Sequence, residues 1–319
     1  MKKILCVLMS CLLFVMAGCS GDSKNLKFGA ADIGGVYYSF ASTFTQLADN
    51  EIDGYTFETK TTAGSVANLR LISDGYIDLA IVQADLLSDA YNATGTFADK
   101  KYQKGYKAVA SLYTECCQIV VRKDSGITGI DDLINKTVSV GASESGTEKN
   151  AEQILKMSGI TDELINKVNM DYTEAAEKLK AGEIDAFFCT AGTRTEVIGQ
   201  LSKECDIRLI SLDDKCIDKM LSAYSLCEKY TIPAGTYNGQ DSDVTTIGVK
   251  AVLIAKQSLS DDVIKNVTKT IYEHADDFKY ATSLDISFDI NTAADGVDIP
   301  FHSGAAAYYT ERGINVLTE

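Results

Sequence analysis

One part of this chain echoes another. Phe28-Gly29, then Gly34-Gly35, then a helical pattern is followed about 110 residues later by Val140-Gly141, Ser145-Gly146 and a second helical pattern. Likewise Leu71-Ile72-Ser73-Asp74-Gly75-Tyr76-Ile77-Asp78-Leu79 returns as Leu179-Lys180-Ala181-Gly182-Glu183-Ile184-Asp185-Ala186. Both echoes have nearly the same offset. Each is a strand, a small-residue loop and a helix, then a helix, a glycine and a strand. The repeat predicts two lobes of similar design rather than one sheet. Short strand-like runs at 26–30, 56–62 and 77–82 alternate with helical patterns at 36–50 and 65–74. That alternation predicts an α/β class with largely parallel strands. Gly75 and Gly182 suit helix C-termini, where positive φ is wanted, and Asp78 and Asp185 are expected to cap or turn the chain beside them.

Between the repeats lie two strand-like runs, Ala108–Tyr113 and Cys116–Arg122, and a return run, Thr245–Ala255. A chain that enters a second lobe and comes back makes two crossovers, and two crossovers form a hinge. Residues 26–112 with 246–319 are expected to form lobe 1, and residues 113–245 lobe 2. Beyond the return run, Val263, Ile264, Val267 and Ile271 mark one apolar face of a helix over Asp261–His274.

The chain begins Met1-Lys2-Lys3, continues with an apolar run from Ile4 to Val15, and reaches Ala17-Gly18-Cys19. A basic start, a short apolar core and small residues read as a secretory signal. A Cys directly after Ala-Gly resembles a bacterial lipoprotein signal. That resemblance implies a signal peptide over 1–18, lipid on Cys19 and a polar tether over 19–25, which places the protein outside the cytoplasm on a membrane surface. Removing 1–18 takes away two lysines and no acid, so the net charge of −15 becomes −17. Nucleic acid is excluded as a partner, because phosphate neutralisation needs clustered Lys and Arg. An anionic ligand would approach against the overall field and needs a locally favourable site. Six further cysteines, Cys116, Cys117, Cys189, Cys205, Cys216 and Cys227, can be buried thiols or disulfides. They show no zinc-ligand spacing, so no metal is expected.

Catalytic signatures are missing. There are two histidines, His274 and His302. No G-x-S-x-G, H-E-x-x-H, Walker loop or G-x-G-x-x-G occurs. The expectation is a non-enzyme without a cofactor. Capture is better provided for. Gly141–Thr147 joins a strand to a helix, and its small residues let backbone approach a ligand closely. The helix start offers unpaired N–H groups and positive dipole character, a carboxylate or phosphate cradle that needs no lysine. Ser143 or Ser145 can instead simply cap that helix. The first-repeat counterpart, Asp32–Tyr38, adds Tyr37 and Tyr38. Thr61–Leu69 supplies a third small-residue loop, and Gln83 ends a buried strand. Loops beyond the carboxyl ends of parallel strands are the usual binding place in such sheets.

Gly34-Gly35-Val36-Tyr37-Tyr38, Gly64-Ser65-Val66-Ala67-Asn68-Leu69, Gly75 to Gln83 and Ser145-Gly146-Thr147 together resemble the TAXI group of TRAP-transporter substrate-binding proteins. So do Ile232 to Gln240 and Pro300 to Tyr309, and the resemblance runs in order through residues 26–313. It implies a two-lobed, periplasmic-binding-protein-like α/β fold with a hinge and an interlobe cleft. It implies capture of a small organic anion, a glutamate-like amino acid or a dicarboxylate, by a monomeric receptor. That receptor passes the ligand to TRAP membrane subunits and touches the membrane only through its lipid. Carried over, it places Gly35, Tyr37, Tyr38, Gly64, Ser65, Asn68, Gln83, Ser145, Gly146, Thr147, Gly192 and Thr193 at the ligand. Thr193-Arg194 departs from the proline common there, and Arg194 reads as cleft or surface. The rival readings are a binding lipoprotein of an ATP-driven importer or sensor, and a surface hydrolase.

Overall fold

The computed structural model describes residues 24–98, 105–283 and 288–319. The expected signal peptide over 1–18, Cys19 and most of the expected tether over 19–25 lie outside them. In chain order the elements are β1 (Lys24–Gly29), α1 (Val36–Glu51), β2 (Tyr55–Lys60), α2 (Ser65–Ser73), β3 (Leu79–Gln83), α3 (Ala84–Asn92) and β4 (Tyr106–Arg122). Then come β5 (Thr137–Ser139), α4 (Gly146–Met157), β6 (Asn166–Val168), α5 (Tyr172–Ala181), β7 (Ala186–Ala191), α6 (Glu196–Glu204) and β8 (Ile207–Leu209). The chain closes with α7 (Asp214–Ala223), β9 (Cys227–Ile232), β10 (Val244–Lys256), α8 (Asp261–Glu273), α9 (Ala275–Thr282) and α10 (Ser303–Thr310).

The repeat is structural. Strands run in the order β2-β1-β3-β10 in one lobe and β6-β5-β7-β4 in the other. Each has three parallel strands, closed by one antiparallel crossing strand. The echoed aspartates do matching jobs. Asp78 Oδ2 accepts from Lys27 N at 2.9 Å, and Asp185 Oδ2 accepts from Thr137 N at 2.8 Å. Each thereby ties the strand after a helix to the strand that opened its lobe. The glycines that end the preceding helices, Gly75 and Gly182, have φ of 82° and 76°.

One expectation is corrected. The lobes do not carry separate sheets, because β4 and β10 run through both and pair with each other. The expected runs 108–113 and 116–122 form one strand of 17 residues. At Cys116↔Gly248 the partners change. Near it β10 changes from β9, paired over Val244–Val249, to β3, paired over Ala251–Ala255, while β4 takes up β7 from Cys116 onward. Extended strands cross between lobes without breaking backbone hydrogen bonds, which a loop could not do.

Apolar faces fix the layers. In α1, Phe40 and Phe44 point inward at helical spacing, and Phe44 packs edge-on against Phe28 of β1 with ring centres 5.5 Å apart. Phe40 stacks on Phe278 of α9 at 4.4 Å. One core fills the first lobe and continues beneath α5 and α6. A second core lies between β4, β5 and β7 and the helices α4 and α7. The six cysteines named above are free thiols, all buried except the partly exposed Cys205.

Candidate functional site

Six strand ends and one residue of a crossing strand converge on a cavity between the lobes. The first lobe supplies Ala31, Asp32 and Gly35 after β1, Val36 and Tyr37 opening α1, Ala63, Gly64 and Ser65 after β2, and Gln83 closing β3. The second supplies Ala142, Ser145, Gly146 and Thr147 after β5, Asp171 and Tyr172 after β6, and Thr190 and Ala191 closing β7. Glu115 of β4 completes the lining. The enclosed space is about 40 Å³, room for only a few waters in this arrangement, and about 480 Å³ with the open mouth included.

The lobes also touch each other here. Gly64, at φ 119°, faces Ser145, whose Cα would lie 3.5 Å from a Cβ added to the glycine. Ala67 N donates to Glu144 O at 3.0 Å, and Arg70 forks onto the Glu144 carboxylate at 2.6 and 3.2 Å. Gln83 Nε2 donates to Asn150 Oδ1 of α4 at 3.0 Å. A Cβ on Gly146 would fall on the Gln83 amide, so glycine there is what lets the two lobes meet.

Eight of the twelve residues expected at a ligand line this cavity: Gly35, Tyr37, Gly64, Ser65, Gln83, Ser145, Gly146 and Thr147. Tyr38 is one residue, or about 100° of helix, away from Tyr37 and packs on the first core. Asn68 is fully buried, and its Nδ2 serves Gly29 O, Ala30 O and Ile81 O while Oδ1 accepts from Thr62 Oγ1. Its bonding capacity is spent locking β1 to β3. Gly192 and Thr193 lie just past the lining, where the turn is tied down instead. Thr195 N donates to Tyr237 OH at 3.1 Å, and Tyr237 OH donates to Gln118 Oε1 at 2.6 Å. Arg194 is exposed at φ 65°. His302 is buried away from the cavity, and its Nδ1 caps α10 by accepting from Gly304 N at 3.1 Å.

The hydroxyls divide into spent and available ones. Ser145 Oγ accepts from Glu148 N at 3.0 Å, so it does cap α4, and its own hydrogen remains to donate. Thr147 Oγ1 accepts from Thr190 N at 3.2 Å and lies 2.5 Å from Tyr172 OH. Tyr172 OH in turn donates to Thr190 O at 3.0 Å, which leaves Thr147 as donor to Tyr172. Thr147 therefore shapes the wall rather than offering a donor. The first amides of α4 have no intrahelical acceptor and point their dipole at the cavity.

Sequence reading passed over Glu115, Asp171, Tyr172 and Thr190, and took Asp32 only as the start of the Asp32–Tyr38 loop. Glu115 is only 3% exposed, and Tyr37 OH donates to its Oε2 at 2.9 Å. Burial pushes its carboxyl up to about 8, against the pull of the Tyr37 and Gln83 hydrogen bonds and with a further push from the Asp85 charge. Asp32 is also raised, by burial first and by the Asp171 charge second, with backbone amides of Ile33, Tyr172 and Gly34 opposing. Among the described residues, no lining side chain is Lys, Arg or His. The signal available in the sequence was Glu115, the one carboxylate inside the mostly apolar β4 run. Among the described residues, no group of three or more His, Cys, Asp and Glu could hold a metal ion, and no helix is long and apolar enough to cross a membrane.

The architecture is shared with solved solute-binding proteins. PhnD1 from Prochlorococcus marinus, solved with methylphosphonate, matches at TM-score 0.58 and 12% identity, over 83% of this chain and 93% of that one. An ancestral arginine-binding protein bound to arginine matches at TM-score 0.50 and 15% identity, over 81% and 96%. At such identities the likeness establishes the two-lobed periplasmic-binding-protein-like fold alone. The sequence profile of the NMT1-like family matches residues 28–313, nearly all of the described chain, and this chain belongs to that family.

Proposed function

We propose that this protein is an extracytoplasmic solute receptor, held to the membrane by lipid on Cys19, which closes on one small carboxylate-bearing ligand and hands it to the membrane subunits of a TRAP-type secondary transporter. The moving bodies are residues 26–112 with 246–319 and residues 113–245, turning about β4 and β10. The observation that carries this reading is the two-sided cavity, in which a glycine-and-serine turn from each lobe, Gly64-Ser65 and Ser145-Gly146, faces the other. Backbone amides and dipole at the α4 start suit a carboxylate without a cationic side chain. Micromolar capture needs about −8 kcal/mol, and one partly buried helix end supplies at most about 2, so several donors and lobe closure must act together. A receptor fits better than a hydrolase, since His302, the base a hydrolase reading would use, caps α10 outside the cavity.

Titration calorimetry of the mature chain against amino acids, dicarboxylates and oxo acids, with scattering to follow closure, tests the reading. Saturable binding with compaction is expected. No binder and no compaction across the panel would remove it. The gene neighbourhood separates the transporter types: a large multi-spanning subunit without an ATPase is expected, and an ATPase subunit would assign an ATP-driven importer.

A further inference from the structure

The polar atoms of the cavity are unbalanced. Gln83 is 2% exposed and lines the cavity, yet its Oε1 has no hydrogen-bond partner; Asp32 Oδ2 has none either. Both are acceptors. Three carboxyl groups, Asp32, Glu115 and Asp171, share the lining. Acceptors left over in a buried site call for a ligand that brings N–H donors.

We infer that the ligand presents a protonated amine to Glu115 while its carboxylate meets the α4 start, so that the pocket selects a zwitterion with no second acid and rejects dicarboxylates. This rests on the receptor reading above and narrows it. Glu115 sits at the partner switch of the crossing strands, pairing with Val249, where both lobes reach it. The groups facing it are Tyr37 of α1, Gln83 of β3, Asp85 of α3, Tyr113 and Cys116 of β4, Tyr172 of α5 and Cys189 of β7. None of these is a cation, so the ligand's amine is the positive charge that would complete the set. A second ligand carboxylate would stand among Asp32, Glu115 and Asp171 with no cationic side chain to receive it.

Capture then moves a proton. Glu115 holds its proton near neutral pH, and an ammonium beside it favours the ionised form, so binding releases that proton to solvent. Affinity should therefore rise between pH 6 and pH 8.

The test titrates the mature chain with the twenty common L-amino acids, their 2-oxo acid counterparts, succinate and glutarate, in two buffers of different ionisation enthalpy. The expected result is binding of at least one non-acidic amino acid, a loss of about 10- to 100-fold for its oxo acid, and heat that differs between buffers at pH 7. Glu115→Gln should lose a similar factor and the buffer dependence, while keeping its fold by circular dichroism. Binding of succinate, glutarate or glutamate in preference to all neutral and basic amino acids would overturn the inference and leave the receptor reading standing. An amino acid bound equally well by Glu115→Gln would also overturn it. Silence across the whole panel, with no compaction, would instead remove the receptor reading on which it rests.

Discussion

Gly146→Ala should prise the lobes apart without harming either one. Gly146 is the first residue of α4, and its φ lies outside the positive region, so alanine is allowed by the backbone. Alanine favours a helix over glycine by roughly 0.5–1 kcal/mol. The added Cβ, however, falls on the Gln83 amide. Gln83 cannot easily yield, because it is buried and its Nε2 is held by Asn150 at 3.0 Å. Such overpacking costs about 1–3 kcal/mol. Gln83 belongs to the first lobe and Gly146 to the second, so that cost falls on the closed arrangement and vanishes when the cleft opens. The closing equilibrium should shift by a factor of roughly 5 to 150, and apparent affinity for the amino acid found by titration should fall by about as much. Small-angle scattering should show a larger radius of gyration, while the melting temperature without ligand stays level or rises. Adding Gln83→Ala to the same chain should recover part of the closure, a coupling visible in a double-mutant cycle. Unchanged affinity and unchanged scattering in Gly146→Ala would refute the claim that these two residues meet across a moving cleft.

Three further outcomes are expected. The Glu115 carboxyl titrates near 8 in the fold against 4.5 in an ordinary setting, so its contribution is full below about pH 4.5 and is lost as pH climbs through about 8. Denaturant titrations at pH 5, 6, 7 and 8 should show the parent losing about 1.4 kcal/mol per pH unit relative to Glu115→Gln, and parallel slopes would contradict this. Asn68→Ala should destabilise by about 2–4 kcal/mol, since it strips partners from Gly29 O, Ala30 O and Ile81 O; normal stability with lost binding would make Asn68 a ligand contact instead. Arg70→Ala should weaken closure by only about 0.2–1 kcal/mol and lessen its salt sensitivity, because the pair with Glu144 is 39% and 42% exposed, and a loss of 100-fold in affinity would show a larger role.

The repeat, the parallel strands and the small-residue turns were legible because each has a local cause. Glycine at positive φ, a helix-period apolar stripe and an aspartate after a Gly leave marks within ten residues. The joined sheet was not legible. Thr114-Glu115 looks like a break in a one-dimensional pattern, and only the three-dimensional pairing shows that β4 continues across it while changing neighbours. The site was read to within one residue in several places, and one residue is decisive. Tyr37 and Tyr38 are equal in sequence, yet only one faces the cavity, and Ala191 rather than Gly192 lines the end of β7. Asn68 was placed at the ligand by the family resemblance, but its partners are backbone carbonyls of its own lobe.

The charge of the chain bears on the same choice of ligand. A net charge of −15, or −17 once the proposed signal peptide is removed, repels a dianion at long range and attracts a cationic end. The lining continues that field inward, with carboxyl groups of Asp32, Glu115 and Asp171 from both lobes and the strand between them. The α4 start works against the field only locally, since a helix-terminal dipole acts over about one turn. A zwitterion satisfies both ranges at once, with its amine drawn by the wide field and its carboxylate captured by the short one. Raising ionic strength should then slow association of such a ligand only slightly, because it carries no net charge, whereas a basic amino acid should associate markedly more slowly in 0.5 M salt than in 0.02 M. Stopped-flow measurement of tyrosine fluorescence would follow this, and faster binding of a basic amino acid at high salt would show that the outer charge plays no part in drawing the ligand in.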